Sequence, residues 1–496
     1  MVSNSNSNEK LGYLEGLRGC ACAVVVVHHF CCAYFPLFIG LQEPTAENVK
    51  GLWSIANSPL RPLWAGQFSV VLFFVLSGFV LTRKFTTNAL FPQNDDSVSR
   101  KPDIVGLAHS ILKRYMRLLI PVLSSLTLCW FVHCLANYND RIKVAQISQS
   151  SWFTEVTGIE RYGRGWSIVW IIIVSFFTVW TTGNVEGFNN VLWTLNIELK
   201  GSFLVFLLVA IVAPEHGIQN AWLAIVLLLC FYLSPFVITD SYICLAAFIF
   251  GYFFAMKADK TIMNECKRFI KKNIIHSEID DSNGFFKVLS YIWFLFVICL
   301  VWDCACIPQM GVQFYKDRWW YGHQRIKNKY VNANGYGNTG GVSTSFFYEL
   351  IGSVMLFHAL DISPFLQTIF GSWPLLYLGK ISFSLYLVHL PLLYTVSPEL
   401  FLTFYGDNGS KLSYDYSVAA TFVIMFPIWW TVGHIFWYLI DRNAVIMSNR
   451  VIEYIFPVTV REEKTEKDLE TESIYATTTT TTVTEVIVDL TKTETI

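Results

Sequence analysis

Charge is what this chain has least of. Only 15% of its 496 residues are Asp, Glu, Lys or Arg, and 36 cations against 37 anions leave a formal net charge of −1. A balance so near zero makes no long-range field for a polyanion, which excludes nucleic acid as an expected partner. Zinc-finger spacing is missing from the twelve cysteines. Most of them sit inside apolar runs, where a free thiol acts as a small hydrophobe. No repeat of solenoid period is visible. The leader MVSNSNSNEK lacks the basic region of a secretory signal, and no small-residue cleavage site follows a short apolar core. The first apolar helix is therefore expected to be a retained signal-anchor.

What the chain has in excess is apolar surface. Hydrophobic residues make up 53% and aromatic ones 16%, with a mean hydropathy of +0.44. That is the composition of a polytopic membrane protein. The rest is organised around Tyr13 to Pro36, YLEGLRGCACAVVVVHHFCCAYFP, an apolar run of membrane-spanning length. Ionisable groups in such a helix are costly and usually face a protein interior or a wet cavity. Arg18 and His29 are eleven residues apart, which at ~100° per residue returns to nearly the same face about 16 Å along the axis. His28 points about 100° away from that face. His28 and Cys32 stand four apart, a spacing that can hold zinc on a helix. No second ligand pair stands at a fitting distance, so no metal is expected.

Eleven apolar segments follow one another along the chain. The second, about 66–84, contains FFVLSGFVLT, where Ser77-Gly78 permits close helix contact. The third opens with LKRYMRLLIPVLSS, which puts Arg114 and Arg117 on one helix face. Segment 165–182 precedes VLWTLNIELKGSFLVFLLVAIV, which carries Glu198 followed by Leu199 and Lys200. Segments at about 219–238, 241–256, 287–306 and 345–362 come next. LGKISFSLYLVHLPLL then carries Tyr386 and His389, and the last segment, about 416–440, ends in YLIDR. Loop 257–286 is rich in Lys and Arg and is expected on the cytoplasmic side. Seven crossings from a cytoplasmic N-terminus would put it outside, so one segment is expected to turn back, either 165–182 or 241–256. The expected fold is all-α, with about ten transmembrane helices in one bundle. Residues 1–12 are expected to be a disordered leader, 13–441 the membrane domain, and 442–496 a polar Thr-rich tail without a core.

Five of these stretches, in order, resemble motifs of the acyltransferase-3 family of integral-membrane, acyl-CoA-dependent O-acyltransferases. E-G-L-R-G with Arg18 and His29 resembles its R-x10-H signature. FFVLSGF resembles F-F-x-L-S-G-F, and Arg114 and Arg117 resemble its R-x-x-R. LWTLNIE resembles L-W-S-L-x-x-E, with Glu198 in the first acidic place and Leu199 where bacterial members often carry a second acid. LGKISFSLYLVH resembles the late motif, with Ser382, Ser384, Tyr386 and His389 in the matching places. W-T for W-S and the lone glutamate make the chain look most like eukaryotic microbial, fungal-like members.

The resemblance implies transfer of an acyl group, acetyl in the expected case, from acyl-CoA to a hydroxyl on a small molecule, lipid or sugar. It implies no bound cofactor, with acyl-CoA as co-substrate, and a multi-pass location in a lipid bilayer. His29 is the expected general base, since a neutral imidazole titrates near working pH. Its bland alternative is an interior histidine bonded to a neighbouring helix. Arg18 is expected to meet phosphate or carboxylate, against an interfacial anchor paired with Glu15. Arg114 and Arg117 are expected to bind the donor, or else to be positive-inside anchors. Glu198 is expected either to orient His29 in a catalytic role or to pair with an arginine. Ser77, Tyr386 and His389 are expected at the substrate, the last two alternatively in the interfacial belt. Two rivals of other classes remain, a secondary transporter and a non-catalytic membrane receptor or scaffold.

Overall fold

The structure, a computed structural model, describes residues 12–36, 60–88, 104–135, 137–150, 153, 167–181, 189–211, 240–257, 284–305, 343–406 and 409–455. Residues 1–11, segment 219–238, residues 258–283 of the basic loop and the tail beyond 455 lie outside them. Every regular element described is helical: α1 (Gly12–Tyr34), α2 (Gly66–Asn88), α3 (Ile104–Leu135), α4 (Tyr138–Ser148), α5 (Ser167–Thr181), α6 (Trp193–Ile211), α7 (Asp240–Lys257), α8 (Gly284–Ala305), α9 (Ser343–Ile362), α10 (Pro364–Phe370), α11 (Trp373–Tyr405), α12 (Tyr414–Phe436) and α13 (Arg442–Ile455). Six helices among the described residues are long and apolar enough to cross a membrane, or seven if the bent pair α9–α10 is one span. The protein is an all-α polytopic membrane protein.

Two close helix crossings build the middle of the bundle. In α1, Gly16 and Gly19 lie three apart and so share a face. A methyl group added at Gly19 would fall 2.7 Å from the Leu375 carbonyl oxygen of α11. Glycine is what lets these two backbones touch, as small residues do between helices in lipid. Gly78 of α2 does the same against Gly251 of α7, where each missing side chain admits the other helix's backbone. The expected role of the S-G step as a close-contact point is what the α2–α7 crossing shows.

The contacts also fix helix directions. Arg18 meets Gly379, Cys22 meets Ser382, His29 meets His389 and Tyr34 meets Ser397. Numbers rise together, so α1 and α11 run parallel. In contrast, Asn189 bonds Ser125 whereas Glu198 pairs with Arg114, so α6 runs antiparallel to α3. An even number of crossings must then separate α3 from α6. With only the polar α4 and the 15-residue α5 described between them, α5 does not cross. Its length of about 22 Å is also short of a ~30 Å hydrocarbon core. Of the two segments expected to turn back, 165–182 is the one.

The C-terminal expectation needs one correction. Residues 442–496 were expected to lack structure, yet Arg442–Ile455 is helical, joined to α12 through a π-helical turn at Trp437–Asp441. Ala444, Ser448 and Ile452 recur every four residues and are all buried, an amphipathic pattern that supports a helix. The chain forms two compact units, Met1–Ile446 and Met447–Ile496, and only 447–455 of the second are described.

Candidate active site

The site is built along the face that α1 turns to α11. The Arg18 guanidinium donates to the Gly379 carbonyl at 2.8 Å. That carbonyl also accepts from Ser382 Oγ at 2.7 Å, so the serine of the late motif helps to seat the arginine. Eleven residues on, His29 Nδ1 lies 2.8 Å from His389 Nε2, with the two rings stacked at 5.0 Å and 18°. The sequence expectation that Arg18 and His29 share a face holds, and α11 is what that face meets. His28 points elsewhere: its Nδ1 lies 2.9 Å from the Trp64 carbonyl, on the short helical turn Arg61–Trp64 before α2.

Below the histidines, charges gather at one end of the bundle. Arg18 and Arg117 lie within electrostatic reach of each other, and Arg114 and Asp441 each lie within reach of both. Arg114 forms an ion pair with Glu198, and Ser77 Oγ donates to the same carboxylate oxygen at 2.6 Å. Arg114 Nε also donates to Ser202 Oγ at 3.2 Å. Of the two roles expected of Glu198, the partners found for its carboxylate are those of a glutamate paired with an arginine. Arg117 is exposed, one turn further along α3.

Tyr386 and His389 are buried, at 8% and 0% exposure, which places both inside the bundle rather than in an interfacial belt. Tyr386 Oη meets Thr194 Oγ1 at 2.9 Å, and its ring lies 5.8 Å from that of His389. Thr194 is the residue of the W-T step, and its hydroxyl provides this bond as a serine would.

Some supporting residues escaped the sequence reading. Pro391 has no N–H, so the Leu387 carbonyl one turn back loses its helical donor. Asn189 Nδ2 at 2.8 Å and Ser125 Oγ at 3.1 Å donate to it instead, which ties α3 and the start of α6 to α11. Trp429 Nε1 donates to the His389 carbonyl at 3.0 Å from α12. Asp441 is buried in the π-helical turn beside the arginines. The L-P step after His389 was the visible signal for the first of these; nothing local announced the other two.

The spanning bundle and the motif residues gathered inside it put the protein among the polytopic membrane acyltransferases. The chain belongs to the acyltransferase-3 family, whose model, described as an acyltransferase domain, matches residues 11–440. Over 464 residues it is 24% identical to the O-acetyltransferase PaAT-1 of Phomopsis amygdali, an alignment covering 91% of this chain and 83% of that protein. No solved structure matches the chain.

Proposed function

We propose that the protein transfers an acyl group, acetyl in the expected case, from acyl-CoA to a hydroxyl on a small molecule, lipid or sugar. The observation that carries this is the layout along α1, an interior imidazole at His29 about 16 Å from the arginines around Arg18. An extended pantetheine arm has room to run between a phosphate held at the arginines and a thioester beside His29. The relative's name supports an acetyl donor and an oxygen acceptor.

His29 takes the proton from the acceptor hydroxyl as its oxygen attacks the thioester carbonyl. The carbon–sulfur bond breaks, and the proton returns to the departing thiolate to give free CoA. Arg117 and Arg18 bind the phosphates. Arg114, already neutralised by Glu198, acts chiefly in holding α3 to α6. That leaves Glu198 a positioning group and not a base. Ser77 supports Glu198, and Tyr386 lines the acceptor side of the histidines.

The test is purified full-length protein in nanodiscs with radiolabelled acetyl-CoA and a panel of primary and secondary alcohols, sugars and extracted lipids. Label should move to at least one acceptor with release of CoA thiol, and His29→Ala should abolish it. Transfer that persists at full rate in His29→Ala would overturn the reading.

A further inference from the structure

The two rings that meet between α1 and α11 have four nitrogens, and their surroundings assign three of the proton positions. His389 Nδ1 lies 2.8 Å from the Tyr386 carbonyl oxygen and 3.2 Å from that of Leu385. Carbonyl oxygens only accept, so His389 Nδ1 carries a hydrogen. Its other nitrogen, Nε2, faces His29 Nδ1 at 2.8 Å. A doubly protonated His389 would be a buried cation whose partners are two peptide carbonyls and a neutral ring, with no carboxylate among those partners, in the described residues, to offset its desolvation. In the neutral ring Nε2 holds a lone pair and must accept. His29 Nδ1 is then the donor, and the lone pair of His29 is on Nε2.

We infer that His389 is a positioning residue for the transfer reaction: it fixes His29 as the Nδ1–H tautomer, so that Nε2 is the atom that takes the acceptor's proton. This rests on the reading of His29 as base. The relay has a rigid origin. His389 is fully buried, its carbonyl is held by Trp429 Nε1 at 3.0 Å, and its Nδ1 is locked to its own helix. The bond to His29 also opposes rotation of that ring. When Nε2 gains the proton, the new charge is shared through Nδ1–H with the lone pair of His389, and no proton has to move between the rings. At metal sites, a group that orients a histidine through its second nitrogen typically matters by roughly 10–100-fold in affinity or activity, and a similar scale is expected for this pair.

Two variants separate this role from packing. His389→Leu keeps volume and removes the acceptor. His389→Gln puts an amide oxygen near the position of Nε2 and restores one. Full-length protein labelled with 15N-histidine in nanodiscs reports the tautomer directly, since protonated and unprotonated ring nitrogens resonate far apart. Wild-type His29 should show a protonated Nδ1 and a bare Nε2. His389→Leu should shift His29 toward the other tautomer and His389→Gln should shift it back. With acetyl-CoA and the alcohol panel, His389→Leu should lose kcat by roughly 10–100-fold with both KM values little changed, and His389→Gln should recover most of it. Wild-type His29 protonated at Nε2, full activity in folded His389→Leu, or equal loss in both variants overturns the inference. An active His29→Ala would instead overturn the base reading, while the tautomer spectrum would still stand on its own.

Discussion

Arg18 donates to the carbonyl of Gly379 across 361 residues of sequence, at 2.8 Å. The bond exists because Gly19 lets α1 lie directly on the backbone of α11 beside it. Position and chemistry are therefore coupled at this crossing: whatever separates the helices also moves the guanidinium and, further along the same face, His29.

Enlarging either glycine tests that coupling. Gly19→Ala should cost about 1–3 kcal/mol of stability through overpacking, and Gly19→Leu should prevent assembly of the bundle. The same holds for Gly379, whose added side chain would meet the Glu15 backbone. Thermal unfolding in detergent measures both. A Gly19→Leu protein with wild-type stability would mean that α1 and α11 do not touch here.

The adjacent histidines should part company under mutation. His29→Ala should abolish transfer at undiminished expression. His28→Ala should retain specific activity within a few-fold and lose about 1–3 kcal/mol of stability, because the buried Trp64 carbonyl loses its donor. His28→Asn, which keeps a donor near the Nδ1 position, should recover most of that loss. Equal inactivation by both alanines would remove the distinction drawn from the face of α1.

The arginines of α3 should also differ from each other. Arg114→Ala strands Glu198 and Glu198→Ala strands Arg114, each costing about 3 kcal/mol as broken pairs in low dielectric do. The double variant should be no less stable than either single one. Arg117→Ala should leave stability unchanged and raise the apparent KM for acyl-CoA by roughly 10–100-fold, the loss of one charge-assisted phosphate contact. An unchanged donor KM would return Arg117 to the anchor role.

What the sequence made legible follows from how local each feature is. The period of a helix was enough to set Arg18 and His29 on one face and His28 off it. Distance along the chain hid the partners: nothing near His29 indicates His389, which lies 360 residues away. Only a motif resemblance put both in one site. Glu198 was ambiguous because a carboxylate suits an imidazole or a guanidinium equally well, and only the approach of Arg114 decided between them. The segment that turns back was narrowed to two by charge, and helix direction chose α5. The L-P step signalled an unsatisfied Leu387 carbonyl, but not that Asn189, just before another helix, would be the donor that meets it. The helix at Arg442–Ile455 was missed because the Thr-rich composition further on dominated the reading of that whole stretch.

Sidedness is the last testable consequence, and α11 provides both ends of the ruler. Its 33 residues extend about 50 Å, well beyond a ~30 Å hydrocarbon core. Ser372 and Ser410 flank it and are both exposed. The Ser372 end is where Arg18, Arg114 and Arg117 gather and where Lys380 and Arg442 also occur. Clustered Lys and Arg near span ends favour the cytoplasmic face, so Ser372 should lie inside and Ser410 outside or in the lumen. The N-x-S acceptor site Asn408-Gly409-Ser410 belongs to the same loop, although Asn408 itself lies outside the described residues. In a background without reactive thiols, Ser410→Cys should react with an impermeant maleimide in intact, correctly oriented membranes. Ser372→Cys should react only after permeabilisation. Labelling of both from one side would deny that α11 crosses at all. The mirror-image pattern would put the arginine cluster outside and overturn the sidedness argued from the clustered Lys and Arg.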